Sequence, residues 1–292
     1  MIRGPVALAT CREALGLDTD MPHLQAALRR AGIDHLVVPW DDDQDWSQFS
    51  LVVIRSTWDY HRRYDEFMDW VRRVSQVTRL ANSAEIVSWN TDKRYLAELS
   101  AAGMPIVPTT YVAPGESLDP AALDALLEAG DVVVKPTVSA GSNDTERHAD
   151  RASLRAHVDS LHASSRTVMV QPYVRDVDTG SETGLVYIDG AFGHAFAKGP
   201  MLRDPKTMAQ GLYAEERIDA RQPSPAERDL GDRVTQWVSA RFGTPLYTRV
   251  DLLPSPAGPL VIEVEMTEPS LYVHLGDDAA ERLAEAIMRL VA

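Results

Sequence analysis

Residues 246–253 read LYTRVDLL and residues 260–265 read LVIEVE, joined by PSPAGP at 254–259. Both outer runs alternate polar and apolar side chains, which is the period of a strand, and the joint is turn chemistry. The pattern predicts an antiparallel hairpin turning near Ala257. Symmetric pairing about that turn sets Asp251 opposite Glu263 and Arg249 opposite Glu265, all on one face. Val250, Leu252, Ile262 and Val264 then form the other face, which must be core. Three carboxylates beside one guanidinium either make solvated cross-strand ion pairs or hold a ligand. Hard oxygen donors at adjacent strand positions suit Mg²⁺, which takes one or two carboxylates and completes its shell with water and phosphate.

Working outward from the hairpin, a helix is predicted over 225–242, with Ser224, Pro225 and Glu227 as its capping box and first-turn proline. A closing helix follows at 278–291, and strands at 183–189 and 191–197 precede a long loop. Upstream, Thr91 can cap a helix over 92–102 that stops at Gly103, which puts Lys93 in its first turn. Pro105 and Pro108 force extended chain, a short helix leads to a strand at 131–135, and residues 136–144 are turn-prone. A helix near 151–162 and a strand at 167–171 complete a small α+β unit. In the first ninety residues, strands at 6–10, 35–39 and 51–55 alternate with helices after Pro22 and over 64–74, as in a parallel α/β layer. The division expected is 1–90, 91–174 and 175–292.

Several polar residues stand where this layout offers ligand seats. Lys135 ends an apolar strand, where a bare ammonium is costly without an anion. The loop after it, with Ser142 and Asn143, offers backbone N–H and hydroxyl donors to phosphate oxygens, or is an ordinary surface turn. It is not a Walker loop. Gln171, Tyr173 and Val174 follow a strand and could read an adenine edge or act as a plain hinge; Glu182 could take ribose hydroxyls or be an edge-strand acid. Arg55, Trp58 and Tyr60 lie at the end of a parallel strand, where such sheets place ligands, or form a helix-entry loop. Arg55 would hold a substrate carboxylate, with Trp58 and Tyr60 as walls; Ser270 and Tyr272 could face the same substrate.

Composition narrows the class. The chain has 292 residues, 29 basic and 43 acidic, for a net charge of −14. That excess argues against a general grip on nucleic acid or anionic lipid, both of which need clustered cations. Cys11 is the single cysteine, so no internal disulfide and no cysteine-based zinc cluster is expected, which suits a reducing cytoplasm. No apolar stretch approaches the ~18 residues of a membrane span, and the N-terminal apolar run is short for a signal peptide. Cys11 has no evident base beside it, and His274 reads as a packing or capping residue.

Taken in order, these pieces resemble the ATP-grasp superfamily: Lys93, then Val134-Lys135-Pro136 and the loop to Asn143, then Gln171 to Val174, Glu182, Arg249-x-Asp251 and Glu263-x-Glu265. The likeness covers about residues 90–270, with Gln171 where many relatives carry Glu, a glycine-poor phosphate loop, and Glu265 where many carry Asn. Within that superfamily, Ser56 to Tyr60 and Trp89 to Lys93 look most like the O-ureido-serine cyclo-ligases of D-cycloserine biosynthesis. The resemblance implies an α/β (α+β) ATP-grasp fold, with an N-terminal parallel layer and two α+β subdomains clamping ATP. It implies ATP and Mg²⁺ as cofactors, with Mn²⁺ a possible substitute. Asp251, Glu263 and Glu265 would hold the metal; Lys93, Lys135, Ser142, Asn143, Gln171, Tyr173, Val174 and Glu182 would bind the nucleotide; Arg249 and Lys198 would act on the transferred groups.

The implied reaction is C–N ligation through an acyl phosphate, in this family by intramolecular cyclisation of O-ureido-D-serine to D-cycloserine. Intermolecular carboxylate–amine ligation, of the dipeptide type, is a second enzyme reading. A catalytically silent ATP-binding regulator is the alternative of another class, and the presence of Arg249 with all three carboxylates counts against it. The partner expected is a small amino-acid-like molecule, with no nucleic acid and no membrane; a homo-oligomer is left open.

Overall fold

The computed structural model describes residues 4–199, 202 and 217–292. Most of the long loop expected after the strand at 191–197 lies outside the described residues. In the N-terminal part, β1 (Val6–Thr10), β2 (His35–Pro39), β3 (Leu51–Ser56) and β4 (Leu80–Ala81) form a sheet of order β2-β1-β3-β4. Every pairing in it is parallel. Alternation along the strands splits the apolar load between two faces, as a covered parallel sheet requires. Val6, Leu8, Leu51 and Val53 face α1 (Met21–Arg30), whereas Ala7, Ala9, Val52 and Ile54 face α2 (Tyr64–Val77) and the aromatic group of Trp40, Trp46, Phe67 and Trp70.

Two short helices, α3 (Ala84–Asn90) and α4 (Tyr95–Ala101), lead out of this layer. Sequence periodicity had placed Lys93 inside the second of these. Instead Thr91 ends α3, and Lys93 sits in the turn before α4, its backbone N–H donating to the carbonyl of Thr137 at 2.9 Å. That bond replaces the intrahelical one and ties the turn to the loop after Lys135.

A second sheet, β5-β8-β6-β7, joins β5 (Thr110–Val112), β6 (Val132–Pro136), β7 (Glu146–His148) and β8 (Val168–Pro172), all antiparallel. The helices α5 (Pro120–Ala129) and α6 (Arg151–Ala163) pack on one of its faces, with Val132, Val134, Leu154, Val158 and Val170 between them. β5 and β7 have three residues each, too few to carry a period of two, so no sequence pattern announced them.

After the one-turn helix α7 (Val177–Gly180) comes the third sheet, β11-β10-β9-β12-β13, antiparallel throughout. Its strands are β9 (Glu182–Ile188), β10 (Ala191–Lys198), β11 (Ile218–Ala220), β12 (Tyr247–Leu253) and β13 (Leu260–Glu265). One face carries α8 (Pro225–Phe242) through Leu185, Tyr187 and Val250; the other shares a core with the N-terminal layer and α9 (Ala279–Val291) through Val186, Ile188 and Tyr247. The capping box of α8 is formed as its sequence predicts: Ser224 Oγ accepts from the Glu227 N–H, and Glu227 accepts from the Ser224 N–H at 2.7 Å.

The hairpin register is confirmed where it matters for charge, with Arg249 opposite Glu265 and Asp251 opposite Glu263. Nearer the turn the pairing shifts by one residue, so that Leu252 faces Val261. This bulge corrects the expected core face. Val261 is fully buried in place of Ile262, and Ile262 turns toward the side that carries the carboxylates.

Candidate active site

The three sheets meet around a cavity of about 430 Å³, the size range of small-ligand sites. Its polar half is built from strand ends. Lys93, only 4% exposed, donates from Nζ to the carbonyl of Ser139 at 2.8 Å and lies 3.0 Å from Glu263 Oε1. Lys135, at the end of β6, lines the cavity and has no hydrogen bond or ion pair among the described residues. Burial pulls its pKa down, with Glu263 the largest opposing influence. A buried ammonium in that condition is a seat for an anion.

Arg249 is bound on three sides. It chelates Asp251 through Nε at 2.8 Å and Nη2 at 2.7 Å, reaches Glu265 Oε1 at 2.6 Å, and donates from Nη1 to the Ser270 carbonyl at 3.0 Å. Burial works against its charge, but Asp251 and Glu265 more than offset it, and its pKa rises. Burial would also raise Glu263, yet Lys93 and Lys135 outweigh that and hold its carboxyl below the usual range. Glu265 is pushed up to about 8 by burial, against Arg249 and with Glu263 and Asp251 adding to the rise. Glu268 is likewise held well above the usual carboxyl range, by burial and then Glu265.

More carboxylate is therefore gathered here than the local cations can neutralise. That excess, on oxygen donors alone, is the environment a hard divalent cation satisfies, so the residues present fit Mg²⁺. Glu263 and Glu265 reach the cavity surface; Asp251, 1% exposed, stands behind them in the grip of Arg249.

The other end of the cavity is apolar. Val133, Tyr173, Val174, Leu253 and Ile262 line it, between β6 and the hairpin. Gln171, 1% exposed, also lines it and donates from Nε2 to Thr109 Oγ1 at 2.8 Å. Glu182 and Lys198 are cross-strand partners at the mouths of β9 and β10, with Nζ 3.4 Å from Oε1. Ser142, at φ 58°, follows Gly141 at φ 59°, and both border the cavity on the loop after β6.

Trp58, Tyr60, Ser270 and Tyr272 border the cavity beside the carboxylates. Trp58 Nε1 donates to the Glu268 carbonyl at 3.0 Å, which fixes the segment that carries Glu268.

Besides Asp251, which stands behind the lining, two expected residues are not at the cavity. Arg55 is buried beneath it, 1% exposed, paired with Asp20 at 3.4 Å and donating to the Pro269 carbonyl at 3.1 Å. The end of β3 points that side chain into the seam between the N-terminal layer and the segment after β13, so it holds the fold and not a substrate. Asn143 does not border the cavity either; its amide folds back to the Ala140 carbonyl at 2.8 Å. Cys11 is fully buried, and burial followed by Asp59 raises its thiol, which leaves no nucleophile there. His274 stacks on His23 with centroids 6.0 Å apart.

Sequence reasoning missed Glu268, because a single acid three residues beyond β13 has no spacing signature. It also missed Asp20, whose carboxylate accepts from the N–H groups of Leu271 at 2.6 Å and Val273 at 2.8 Å and so shapes the loop bearing Ser270 and Tyr272.

The sequence aligns with the cycloserine biosynthesis protein DcsG of Streptomyces lavendulae at 40% identity over 299 residues, covering 97% of this chain and 98% of that one. The chain belongs to the DcsG family. Residues 6–82 match the family described as the D-cycloserine synthetase DcsG N-terminal domain. A crystal structure of D-cycloserine synthetase DcsG superposes with a TM-score of 0.90 at 38% identity, covering 99% of this chain and all of that one. D-alanine–D-alanine ligase from Bacillus anthracis, solved with ATP, shares the fold at a TM-score of 0.71 and 14% identity, over 100% of this chain and 97% of that one. The chain thus shares the fold of the D-alanine–D-alanine ligases and belongs to the family of a D-cycloserine synthetase. Among the described residues, no helix is long and apolar enough to cross a membrane.

Proposed function

We propose that this protein closes O-ureido-D-serine to D-cycloserine in an ATP- and Mg²⁺-dependent reaction. Membership of the DcsG family supports the reaction class, and the observation that carries the site is the convergence of Lys93, Lys135, Arg249, Glu263 and Glu265 on one cavity. The γ-phosphoryl group passes from ATP to the substrate carboxylate, releasing ADP. The ureido nitrogen then attacks the acyl carbon, phosphate leaves and the nitrogen gives up its proton; water afterwards cleaves the carbamoyl group from the ring nitrogen, which regains a proton, and the released carbamate breaks down to CO₂ and ammonia. A nucleophile tethered to its own electrophile needs folding and shelter more than activation.

Phosphoryl transfer is chiefly positioning and neutralisation of charge. Bound Mg²⁺ supplies neutralisation of the phosphate oxygens, with Glu263 and Glu265 at the surface and Asp251 behind them as its holders. Lys93 and Lys135 take phosphate oxygens, helped by the N–H groups around Ser142. Ile262, Leu253, Val174 and Tyr173 receive the adenine, and Glu182 with Lys198 sits at the ribose and phosphate edge. Arg249 carries its charge toward the oxygen that becomes negative when the acyl carbon is attacked.

Glu268, Trp58, Tyr60, Ser270 and Tyr272 form the amino-acid end, with the Glu268 carboxylate accepting the substrate ammonium. Mn²⁺, which favours the same oxygen ligands, is expected to replace Mg²⁺. The three-part division of the chain and a cytoplasmic setting belong to the same reading, the latter supported by the single buried cysteine.

The test is ADP and phosphate release from ATP with O-ureido-D-serine, followed by product analysis. D-cycloserine should form without added amine, and Glu263→Gln and Asp251→Asn should abolish ADP formation while circular dichroism stays unchanged. Product that appears only when an external amine is supplied would replace cyclisation by intermolecular ligation. ADP formation untouched in both variants would remove the metal assignment.

A further inference from the structure

Away from the cavity, β7 places Glu146 and His148 two residues apart and therefore on one face of the second sheet. Their partners across the ladder are Val134 and Val132, which point into the core under α6. An acid and an imidazole thus replace apolar side chains at the edge of that core. His157, on α6, comes down onto them: its Nδ1 is 3.1 Å from His148 Nε2, and Glu146 Oε2 is 3.8 Å from both nitrogens. His148 and His157 are 4% and 9% exposed, whereas the Glu146 side chain is 28% exposed and opens the group to solvent.

We propose that Glu146, His148 and His157 form a binding site for a divalent transition ion, with Zn²⁺ the ion they suit best, independent of the ligase site.

The geometry is close to what the ion needs. Two imidazole nitrogens bound tetrahedrally to zinc, at about 2.0–2.1 Å each, lie about 3.3 Å apart. A small rotation of the Glu146 side chain closes its oxygen onto the same point, and its solvent-facing edge leaves the fourth position for water. Mixed imidazole and carboxylate donors favour zinc over magnesium or calcium, which prefer oxygen alone.

The protons are already arranged for it. Ser153 Oγ lies 2.9 Å from Asp150 Oδ2 and gives its one proton to Asp150. Its 3.2 Å contact with His148 Nδ1 must therefore have the imidazole as donor, which leaves His148 Nε2 as a lone pair aimed at the site. In the ion-free protein that lone pair accepts from His157 Nδ1–H. The ion takes the place of that proton, and His157 moves its proton to Nε2. Burial holds both histidines below their ordinary pKa, so they stand in the neutral, ligating form at pH 7. After burial, His157 feels Asp144, which raises its pKa, and Arg166, which lowers it, and these two are paired with each other.

Occupancy would join β7 to α6, and so fix the far end of the loop that begins at Thr137 and bears Ser142. Titration calorimetry of the full chain with Zn²⁺, in excess Mg²⁺ to fill the oxygen-only sites, tests the proposal. One Zn²⁺ should bind, and Glu146→Gln, His157→Ala and the positioning variant Ser153→Ala should each weaken it at least about tenfold. Co²⁺ in place of Zn²⁺ should give the visible absorption of a tetrahedral, imidazole-ligated ion, absent in His157→Ala. Glu146→Gln is nearly isosteric and keeps the core filled, so misfolding does not confuse the result. Failure of Zn²⁺ to bind, or equal binding by all three variants, would overturn the site.

Discussion

Lys135 lies 8% exposed at a strand end with Glu263 as its principal electrostatic support, and a cation left in that state costs stability. Replacing it with methionine removes the cost and also the phosphate seat. Lys135→Met is expected to raise stability by about 1–3 kcal/mol in denaturant titration and to lower kcat/KM for ATP by at least about 100-fold. A variant that lost both stability and activity would show instead that the ammonium holds the fold. The strand pattern announced Lys135, because an ammonium closing an apolar run is out of place on chemical grounds alone. Arg55 drew the same attention and serves a different purpose. Its position at the end of a parallel strand is visible in the sequence, but Asp20 and the Pro269 carbonyl, which fix where its guanidinium goes, lie 35 and 214 residues away.

Among the elements, α8 shows local and long-range demands agreeing. Its cap was readable from Ser224 and Glu227, and Glu227 is further engaged by Thr183 Oγ1 at 2.6 Å, which ties the helix start to β9. At Gly231 the helix lies so near that sheet that an added Cβ would come within 2.5 Å of Leu185 Cδ1 and Tyr187 Oη. Gly231→Ala should therefore destabilise by about 1–3 kcal/mol in thermal or denaturant unfolding, although alanine is the better helix former. A stabilised variant would mean that the sheet yields without cost. In the β12–β13 hairpin, the pairing of the charged residues followed from alternation. The bulge beside them did not, because an unpaired residue leaves no mark on a pattern of period two. Its effect is chemical, since it carries Ile262 out of the core and into the cavity wall.

For the whole molecule, the four histidines that burial holds below their ordinary pKa outnumber the raised carboxyls of Glu265 and Glu268, which act in the opposite sense, and so stability falls in acid. His61 is depressed to about 4 by burial, then by Arg62, and His194 is lowered by burial. A histidine with a lowered folded pKa binds fewer protons folded than unfolded. The stability it shows above pH 6.5 is therefore lost as pH falls from 6.5 toward 4, and the loss levels off below that. Melting temperature measured across this range should fall with pH, and His61→Gln should flatten the fall by up to one proton. An unchanged slope in that variant would place the titration elsewhere. The same scale explains the site, because no single sheet contains it. Lys135 comes from the second sheet, Glu263, Glu265 and Arg249 from the third, and Trp58 and Tyr60 from the segment that follows β3 of the first.

The chain's own order of residues was enough to settle the class of its layers, the pairing of Arg249 with Glu265 and of Asp251 with Glu263, and the cap of α8. These depend on neighbours within a turn or a hairpin, where spacing dictates geometry. Only the folded protein decided that Arg249 chelates Asp251, that Glu268 joins the acids, that Arg55 is withdrawn, and that Glu146 meets His157 beneath α6. Apart from the Arg249–Asp251 chelate, which lies within β12 and is set by how that buried face is packed, each of those outcomes depends on side chains from separate elements being brought together, and separation along a chain does not encode that distance in space.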